Sequence, residues 1–103
     1  MDIDFDKEGF LKHLEDWSPE VAEKIAGEDG IMLTPDHWRV IELTREYYER
    51  HKLSPAARVI VSIIKEKIAS EKASSIYLMQ LFTGRPARMV NKISGLPKPS
   101  NCD

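Results

Sequence analysis

Apolar residues recur at helical spacing in three stretches of the chain, and each stretch follows a hydroxyl residue and a proline. A hydroxyl before a helix accepts a first-turn amide, and proline at the next position lacks only a donor that would have no partner. Ser18-Pro19, Thr34-Pro35 and Ser54-Pro55 therefore predict three helix starts. The predicted core positions are Val21, Ala22, Ile25 and Ala26 in the first helix, Val40, Ile41, Thr44, Tyr47, Tyr48 and His51 in the second, and Ala57, Ile60, Val61, Ile64 and Ile68 in the third.

Two shorter helices are predicted towards the C-terminus, over about Ser75–Phe82 and about Pro86–Ser94. Gly84 and Pro86 break the chain between them. Gly95 is a suitable residue to end the last helix, because glycine adopts the left-handed conformation that such ends require.

At the N-terminus, polar and apolar residues alternate over Asp2–Asp6, which is the period of a half-buried strand. Lys7-Glu8-Gly9 has the composition of a turn, and Phe10 and Leu11 follow it. The pattern predicts a small β-hairpin.

The C-terminal segment Leu96–Asp103 contains Pro97 and Pro99, which exclude a helix and favour an extended, semi-rigid arm. A chain of 103 residues has room for one domain with a single core. We therefore expect a mainly α fold, or α+β if the hairpin is counted. We expect the hairpin and a compact bundle of about five helices to form one domain over residues 1–95. A flexible C-terminal arm is expected to follow over residues 96–103.

The formal net charge is −2, but the two halves of the chain differ in sign. Residues 1–51 hold 14 acidic and 6 basic side chains, whereas residues 52–102 hold 2 acidic and 9 basic ones. Arg85, Arg88, Lys92 and Lys98 lie in a stretch that contains no acid. Such a basic surface could serve nucleic acid, an acidic partner or a local anion. The alternative is that the two halves pair with each other in the folded protein.

Composition excludes several classes of protein. The single cysteine cannot form an internal disulfide and fits a reducing cytoplasm, where we place the protein. No segment has the length of a membrane span, and the acidic N-terminus lacks the layout of a secretory signal. Asp2, Asp4 and Asp6 suggest a calcium loop, but Lys7 and His13 stand where glycine and glutamate are needed. The histidines lack metal-ligand spacing. We expect no metal, no cofactor and no membrane partner.

Cys102 is the residue with the clearest chemical potential. It lies near the end of a proline-rich arm, and chain ends are seldom buried unless they are tied down. From Gly95, the arm extends over about 20 Å, a reach that suits a carrier visiting two partner sites. Arg88 and Lys92, together with Arg85, would favour the thiolate if the arm rested on them. The alternative is an inert tail.

The C-terminal arm resembles that of a known family. Lys92-Ile93-Ser94-Gly95-Leu96-Pro97-Lys98-Pro99 followed by Cys102 is similar to the arm of the DsrC/TusE family of sulfur-relay proteins. The resemblance covers about residues 3–102. Other family-like pieces occur in the right order: Gly9-Phe10-Leu11, Asp16-Trp17-Ser18, Leu33-Thr34 with His37-Trp38, Arg45 with Tyr47-Tyr48, Tyr77-Leu78 with Leu81-Phe82, and Pro86-Ala87.

The resemblance implies a helical domain with an N-terminal hairpin, a mobile arm, and a sulfur carrier that forms a persulfide on Cys102. The sulfite-reduction branch of the family uses a second cysteine, at the position of Asn91 here. A carrier with a single cysteine resembles the TusE-type branch of the family. That branch receives sulfur from a TusBCD-like complex and passes it to a tRNA 2-thiouridine synthase. The implied role is a relay carrier with sulfurtransferase-like chemistry rather than a stand-alone enzyme. The alternative within the family is a DsrC-like gamma subunit or partner of a sulfite reductase.

A second class of function is a small DNA-binding regulator, with a helix-turn-helix formed by Ser75–Ser94 around Thr83-Gly84. The acidic balance of the whole chain weakens the attraction to phosphates, so we do not expect direct nucleic-acid binding. The aromatic residues could stack on bases, but at helical spacing we assign them to the core. These residues are Trp17, Trp38, Tyr47, Tyr48 and Tyr77.

Overall fold

The computed structural model describes residues 2–100, and five α-helices form within this range. They are α1 (Pro19–Glu28), α2 (Pro35–His51), α3 (Ala57–Lys67), α4 (Ser75–Phe82) and α5 (Pro86–Ile93). Single 3-10 turns lie at Leu14–Asp16 and Ser70–Lys72. The mainly α prediction and the number of helices are confirmed. None of the helices in the described range is both long and apolar enough to cross a membrane.

The last helix, α5, is central because it packs against each of the other four. Its fully buried Ala87, Val90 and Ile93 lie in the same core as Ile25, Ile41, Ile60 and Leu78 of the surrounding helices. Burial of apolar area is the main stabilising contribution to such a bundle. The C-terminal end of α5, from which the arm departs, is therefore held by the whole domain.

The predicted apolar faces of the first three helices are largely confirmed. The four residues predicted for α1 are buried, as are Val40, Ile41 and Thr44 of α2 and Ile60 and Ile64 of α3. The other predicted positions in these helices are half-buried, namely Tyr47, Tyr48, Ala57, Val61 and Ile68. His51 is exposed, and its ring centre lies 4.3 Å from that of Tyr47.

Two of the three predicted helix starts are confirmed. α1 begins at Pro19, and the Ser18 hydroxyl accepts the Val21 amide at 3.2 Å. α2 begins at Pro35 with Thr34 before it. Local capping chemistry was enough to place both starts.

The third predicted start, at Ser54-Pro55, is wrong by two residues, since α3 begins at Ala57. The Ser54 hydroxyl donates instead to the Pro97 carbonyl at 2.6 Å. The Pro55 carbonyl accepts a hydrogen bond from Asn91 Nδ2 at 3.0 Å. Ser54 and Pro55 thus form hydrogen bonds with the C-terminal region instead of beginning the helix.

The predicted β-hairpin is also wrong. Residues 2–100 contain no β-strand, and Phe5 and Leu11 form one isolated antiparallel bridge. Asp6 Oδ1 accepts the amides of Glu8 and Phe10, both at 2.9 Å, which closes a tight loop instead of extending a ladder. The alternation itself was informative, because Phe5 and its apolar neighbour Ile3 pack on the core while the aspartates face solvent.

His37 is a buried residue that joins α2 to α4. Its Nδ1 accepts the Thr34 amide at 3.0 Å, and its Nε2 lies 2.7 Å from the Leu81 carbonyl oxygen. A carbonyl can only accept, so Nε2 carries the proton and Nδ1 is the acceptor. The ring also meets Phe82 edge to face at 5.0 Å. Both ring nitrogens therefore have structural partners.

Candidate functional site: the root of the C-terminal arm

The backbone of α5 ends in a compact turn from which the arm starts. Gly95 has φ +74°, a conformation that glycine adopts without strain. Its amide donates to the Lys92 carbonyl at 3.1 Å, and the Leu96 amide donates to the Asn91 carbonyl at 2.9 Å. This pair of bonds is the Schellman motif, and it confirms Gly95 as the residue that ends the helix. We call Ser94–Leu96 the arm root.

Two side chains complete the arm root, one from the segment before α1 and one from α2. Trp17 Nε1 donates to the Ile93 carbonyl at 2.8 Å, and an Arg45 guanidinium nitrogen donates to the Ser94 carbonyl at 2.6 Å. The guanidinium also lies 3.9 Å from the centre of the Trp17 ring, which makes a cation–π contact. A positive charge and hydrogen-bond donors at the C-terminal end of a helix stabilise the last carbonyls, which have no partner within the helix.

Burial lowers the pKa of the Arg45 guanidinium, and the nearby Glu49 carboxylate partly opposes this effect. An arginine with a lowered pKa still remains protonated in a protein. Arg45 therefore supplies a permanent positive charge to the carbonyl end of α5.

Beyond the root, the arm follows the domain surface as far as Ser100, the last described residue. Leu96 is 3% exposed and Pro99 is buried. The Ser54 hydroxyl holds the Pro97 carbonyl, as described above, and the arm borders a small groove of about 150 Å³ with Tyr48 and Leu53. Lys98 of the arm also shares the Glu8 carboxylate with Arg88. A resting place of the thiol on Arg85, Arg88 and Lys92 stays a prediction. The flexibility of the arm stays a prediction, and Cys102 lies outside the described residues.

Three of the four predicted supporting cations pair with acids of the N-terminal half. Arg88 lies 3.8 Å and Lys98 3.3 Å from the carboxylate of Glu8, and Lys92 lies 3.3 Å from Asp29. For these cations the alternative interpretation, in which the two halves pair, is confirmed. Arg85 is exposed and forms no ion pair within residues 2–100. A contribution of these residues to the Cys102 thiolate stays a prediction.

Asn91 is fully buried in α5 and serves as a structural tie. Its Nδ2 donates to the Pro55 carbonyl at 3.0 Å and to the Ala87 carbonyl at 2.8 Å. The side chain thus holds the segment before α3 against α5. No group of three or more potential metal ligands of the His, Cys, Asp or Glu type occurs in the part of the chain that the structure describes.

Comparison with known proteins places this arrangement in a family. The sequence model of the family described as "DsrC like protein" matches residues 1–102. The chain belongs to the DsrC-like family. It is 45% identical over 100 residues to the "Sulfurtransferase TusE" of Buchnera aphidicola subsp. Schizaphis graminum, covering 97% of this chain and 88% of that protein. It is 43% identical over 101 residues to the "Sulfurtransferase TusE" of Escherichia coli, covering 98% and 93%.

Solved structures agree with this assignment. The NMR structure of Allochromatium vinosum DsrC matches with a TM-score of 0.89 and 42% identity, over 98% of this chain and 90% of that one. The crystal structure of the oxidized gamma-subunit of the dissimilatory sulfite reductase (DsrC) from Archaeoglobus fulgidus matches with a TM-score of 0.86 and 33% identity, over 98% and 92%. The protein is thus a TusE homologue in the DsrC/TusE family of sulfur-relay proteins.

Within the DsrC-like fold, Trp17, Arg45 and Ser54 are functional candidates to which the sequence analysis assigned no role at the arm. Trp17 appeared in a family-like motif and among the aromatic residues assigned to the core, Arg45 in a family-like motif, and Ser54 as a helix cap. Spacing along the chain carries no signal for a hydrogen bond to a carbonyl 49 residues away, as between Arg45 and Ser94. The available hints were a tryptophan directly before the first predicted helix and an arginine among the predicted core positions of the second.

Proposed function

We propose that the protein is a cytoplasmic sulfur carrier that accepts sulfane sulfur on Cys102 as a persulfide and delivers it to a partner enzyme. One observation carries the proposal. The arm is fastened to the centre of the bundle at Gly95 and remains on the surface to Ser100, directly before the segment that contains the chain's sole cysteine. A fixed root with a thiol near the far end is the arrangement that a carrier requires.

The transfer proposed for Cys102 is a thiol exchange that balances without an external oxidant or reductant. The Cys102 thiolate attacks the terminal sulfur of a donor persulfide, a new S–S bond forms, and the donor S–S bond breaks. The donor leaves as a thiolate, and Cys102 becomes the persulfide. Delivery is the same step in the other direction, with an acceptor thiolate as the nucleophile. Activation of either thiol is assigned to the partner enzymes.

The TusE-type branch is the better supported assignment. The relatives named Sulfurtransferase TusE match over nearly the whole chain. Asn91 occupies the position at which the resemblance places the second cysteine of the sulfite-reduction branch, and here its amide ties two buried carbonyls. We therefore propose a TusBCD-like complex as the donor and a tRNA 2-thiouridine synthase as the acceptor.

The second candidate is a partner of a sulfite reductase. It is favoured by the close structural match to proteins described as DsrC or its gamma-subunit. In that role the protein would act as a binding partner of the reductase, because Asn91 stands where the resemblance places the second cysteine of the sulfite-reduction branch. Co-purification with sulfite reductase subunits, without transfer of sulfur to tRNA, would favour this candidate.

The structure does not favour the DNA-binding alternative. A recognition helix must offer one face to the major groove, whereas α5 is central and packs against the other four helices. Its cations Arg88 and Lys92 are engaged by Glu8 and Asp29. A mobility shift that depends on Arg85 and Arg88 but not on Cys102 would restore this alternative.

The proposal is tested by loading the protein from a cysteine desulfurase and measuring its intact mass. The wild type should gain the mass of one sulfur atom, and Cys102→Ser should gain none. Ser100→Cys combined with Cys102→Ser moves the thiol closer to the root. It should load from a small persulfide donor but transfer sulfur poorly to the partner. Loading of Cys102→Ser at the wild-type level would refute the proposal.

Deletion of Ser100–Asp103 separates function from stability. The anchors at Pro97 and Lys98 precede the deleted segment. The free energy of unfolding should therefore remain within about 0.5 kcal/mol of the wild type, as is usual for surface changes, while sulfur acceptance is abolished. A large loss of stability would identify the segment as a structural strap.

A further inference from the structure

A groove of about 550 Å³ lies directly beside the arm root, between the start of α1 and the exposed side of α2. This volume is within the range of pockets that bind ligands or side chains. Its floor is apolar and its rim is acidic. The lining residues are Trp17, Pro19, Trp38, Ile41, Glu42, Arg45, Glu46 and Glu49.

The charge of the groove indicates which kind of segment can bind in it. The glutamates Glu42, Glu46 and Glu49 are exposed along one side of α2, whereas Arg45 is directed to the Ser94 carbonyl and the Trp17 ring. Glu42 has an exposed partner in Arg39 at 3.6 Å. Glu46 and Glu49 form no ion pair with the residues that the structure describes. Even with Arg39 counted beside Arg45, three carboxylates face two guanidinium groups, so the groove keeps a net negative charge.

The apolar floor narrows the choice further. Trp38 is half-buried, and no cation lies on its ring among residues 2–100, in contrast to Trp17. An arginine stacks on an aromatic face and pairs with a carboxylate through the same planar group. A segment that alternates arginine with aliphatic residues would match both floor and rim. The end of this chain would not, because Asp103 brings a further carboxylate.

We infer that this groove, the acidic Trp groove, docks a basic, arginine-bearing segment of the protein that exchanges sulfur with the arm. The inference rests on the proposed function only in the identity of that partner, because docking is measured separately from transfer. Trp17 and Arg45 line the groove and also hold Ile93 and Ser94. A segment seated here lies beside the fixed end of the arm, which can span roughly 20 Å. We therefore expect the partner's reactive group to lie within that distance of the groove.

The chain contains its own probe for this experiment. Its two tryptophans both line the groove, so intrinsic fluorescence reports occupancy without a label. The ligand used is a short amidated peptide in which arginine and leucine alternate with alanine. The control peptide carries glutamate in place of arginine. We expect a saturable change in fluorescence with the basic peptide that weakens as salt is added, and no saturable change with the acidic one.

Matched variants locate the binding. Glu46→Gln combined with Glu49→Gln should raise the Kd for the basic peptide by about tenfold. Glu23→Gln combined with Glu66→Gln removes the same charge from exposed positions outside the groove and should change the Kd by less than about twofold. Unchanged circular dichroism establishes that each variant folds. Equal weakening by both pairs of substitutions, equal binding of both peptides, or no saturable change would overturn the inference.

Two further measurements distinguish the possible outcomes. Cys102→Ser should bind the peptide like the wild type while failing to accept sulfur, so loss of transfer with intact docking contradicts neither proposal. Peptide binding that fails while sulfur loading proceeds removes the docking inference and leaves the carrier role in place. Fluorescence that changes with protein concentration alone, together with self-association in sedimentation, would assign the groove to a second copy and overturn the inferred partner.

Discussion

The C-terminal ends of α1 and α5 share one backbone geometry but differ in what surrounds it. Gly30 follows α1 and Gly95 follows α5, and both have φ +74°. The Ile31 amide reaches back to the Ala26 carbonyl at 2.8 Å, as the Leu96 amide does after α5. Both helices therefore end in the same local motif.

The surroundings of the two glycines are opposite. A Cβ atom on Gly30 would have no neighbour within 4 Å, whereas one on Gly95 would lie 2.8 Å from Cγ and 2.9 Å from Cβ of Trp17. Carbonyls at the end of α5 accept hydrogen bonds from Trp17, which precedes α1, and from Arg45 of α2. Within residues 2–100, no side chain donates to a carbonyl of residues 26–29 at the end of α1. A local motif is enough to end a helix. Directing the arm that follows it requires packing from the rest of the domain.

The largest expected effect separates the two glycines directly. Gly30→Ala should lower the free energy of unfolding by about 1–2 kcal/mol, the cost of a left-handed conformation for a residue with a side chain. Gly95→Ala carries the same cost and must also displace Trp17, which adds about 1–3 kcal/mol. Urea denaturation measures both values. Equal losses would show that Trp17 does not constrain the arm root.

Arg45 tests the charged donor at the root. Arg45→Met should cost about 1.5–3 kcal/mol, because it removes a hydrogen bond from a charged group to the Ser94 carbonyl. Arg39→Met is the matched control on the same helix, with an exposed partner in Glu42, and should cost less than about 1 kcal/mol. If the two variants are equally stable, Arg45 contributes no more than a surface charge.

A smaller effect is expected where the two helix ends meet. Lys92, near the end of α5, lies 3.3 Å from Asp29 at the end of α1, and both side chains are partly exposed. Lys92→Met should cost about 0.5–1 kcal/mol, and the loss should shrink at high salt because a partly exposed ion pair is screened. Lys24→Met, which removes the exposed pair with Glu28, provides the comparison and should change stability less. The Lys92 side chain also packs on Gly9, where an added Cβ atom would lie 2.7 Å from Lys92 Cε. A loss from Lys92→Met that does not depend on salt would indicate this packing instead of charge.

The smallest effect concerns a region away from both helix ends. Burial, aided by the nearby carboxylate of Asp36, raises the pKa of Tyr77. The folded protein therefore holds this proton more tightly than the unfolded chain does, so the stabilisation is complete below about pH 10 and is lost as the pH rises through the folded-state pKa. Tyr77→Phe should show a smaller decline in stability across this range. Parallel pH profiles for the two proteins would contradict the shift.

Sequence reasoning located elements well where the determining chemistry is local. Ser18 and Pro19 begin α1, and Gly95 ends α5, because each acts through bonds within one turn of its own helix. The predicted helix start at Ser54 and the predicted hairpin around Asp6 were wrong. There the side chains make other hydrogen bonds, to the Pro97 carbonyl and to the amides of a tight loop. The same pattern of residues was compatible with both outcomes.

In the candidate site, too, contiguous features could be predicted from the sequence and contacts between distant residues could not. The proline-rich arm, its sole cysteine and the DsrC/TusE resemblance could be identified from the sequence, because they are contiguous features. The pairing of Arg88 and Lys98 with Glu8 could be raised only as one alternative, since the total charge of each half does not specify partners. The acidic Trp groove could not be predicted, because tryptophans beside or within amphipathic helices are equally compatible with a closed core.

The sequence by itself determined that the chain forms short amphipathic helices, where several of them begin and end, and that an extended arm carries one thiol. Periodicity, capping and glycine conformation act over a few residues, so they can be inferred without knowing the fold. Only the tertiary structure decided that Trp17 and Arg45 hold the carbonyl end of α5 and that the arm starts beside an acidic groove. These contacts join residues 49 and 76 positions apart, and their existence depends on how all five helices pack around α5.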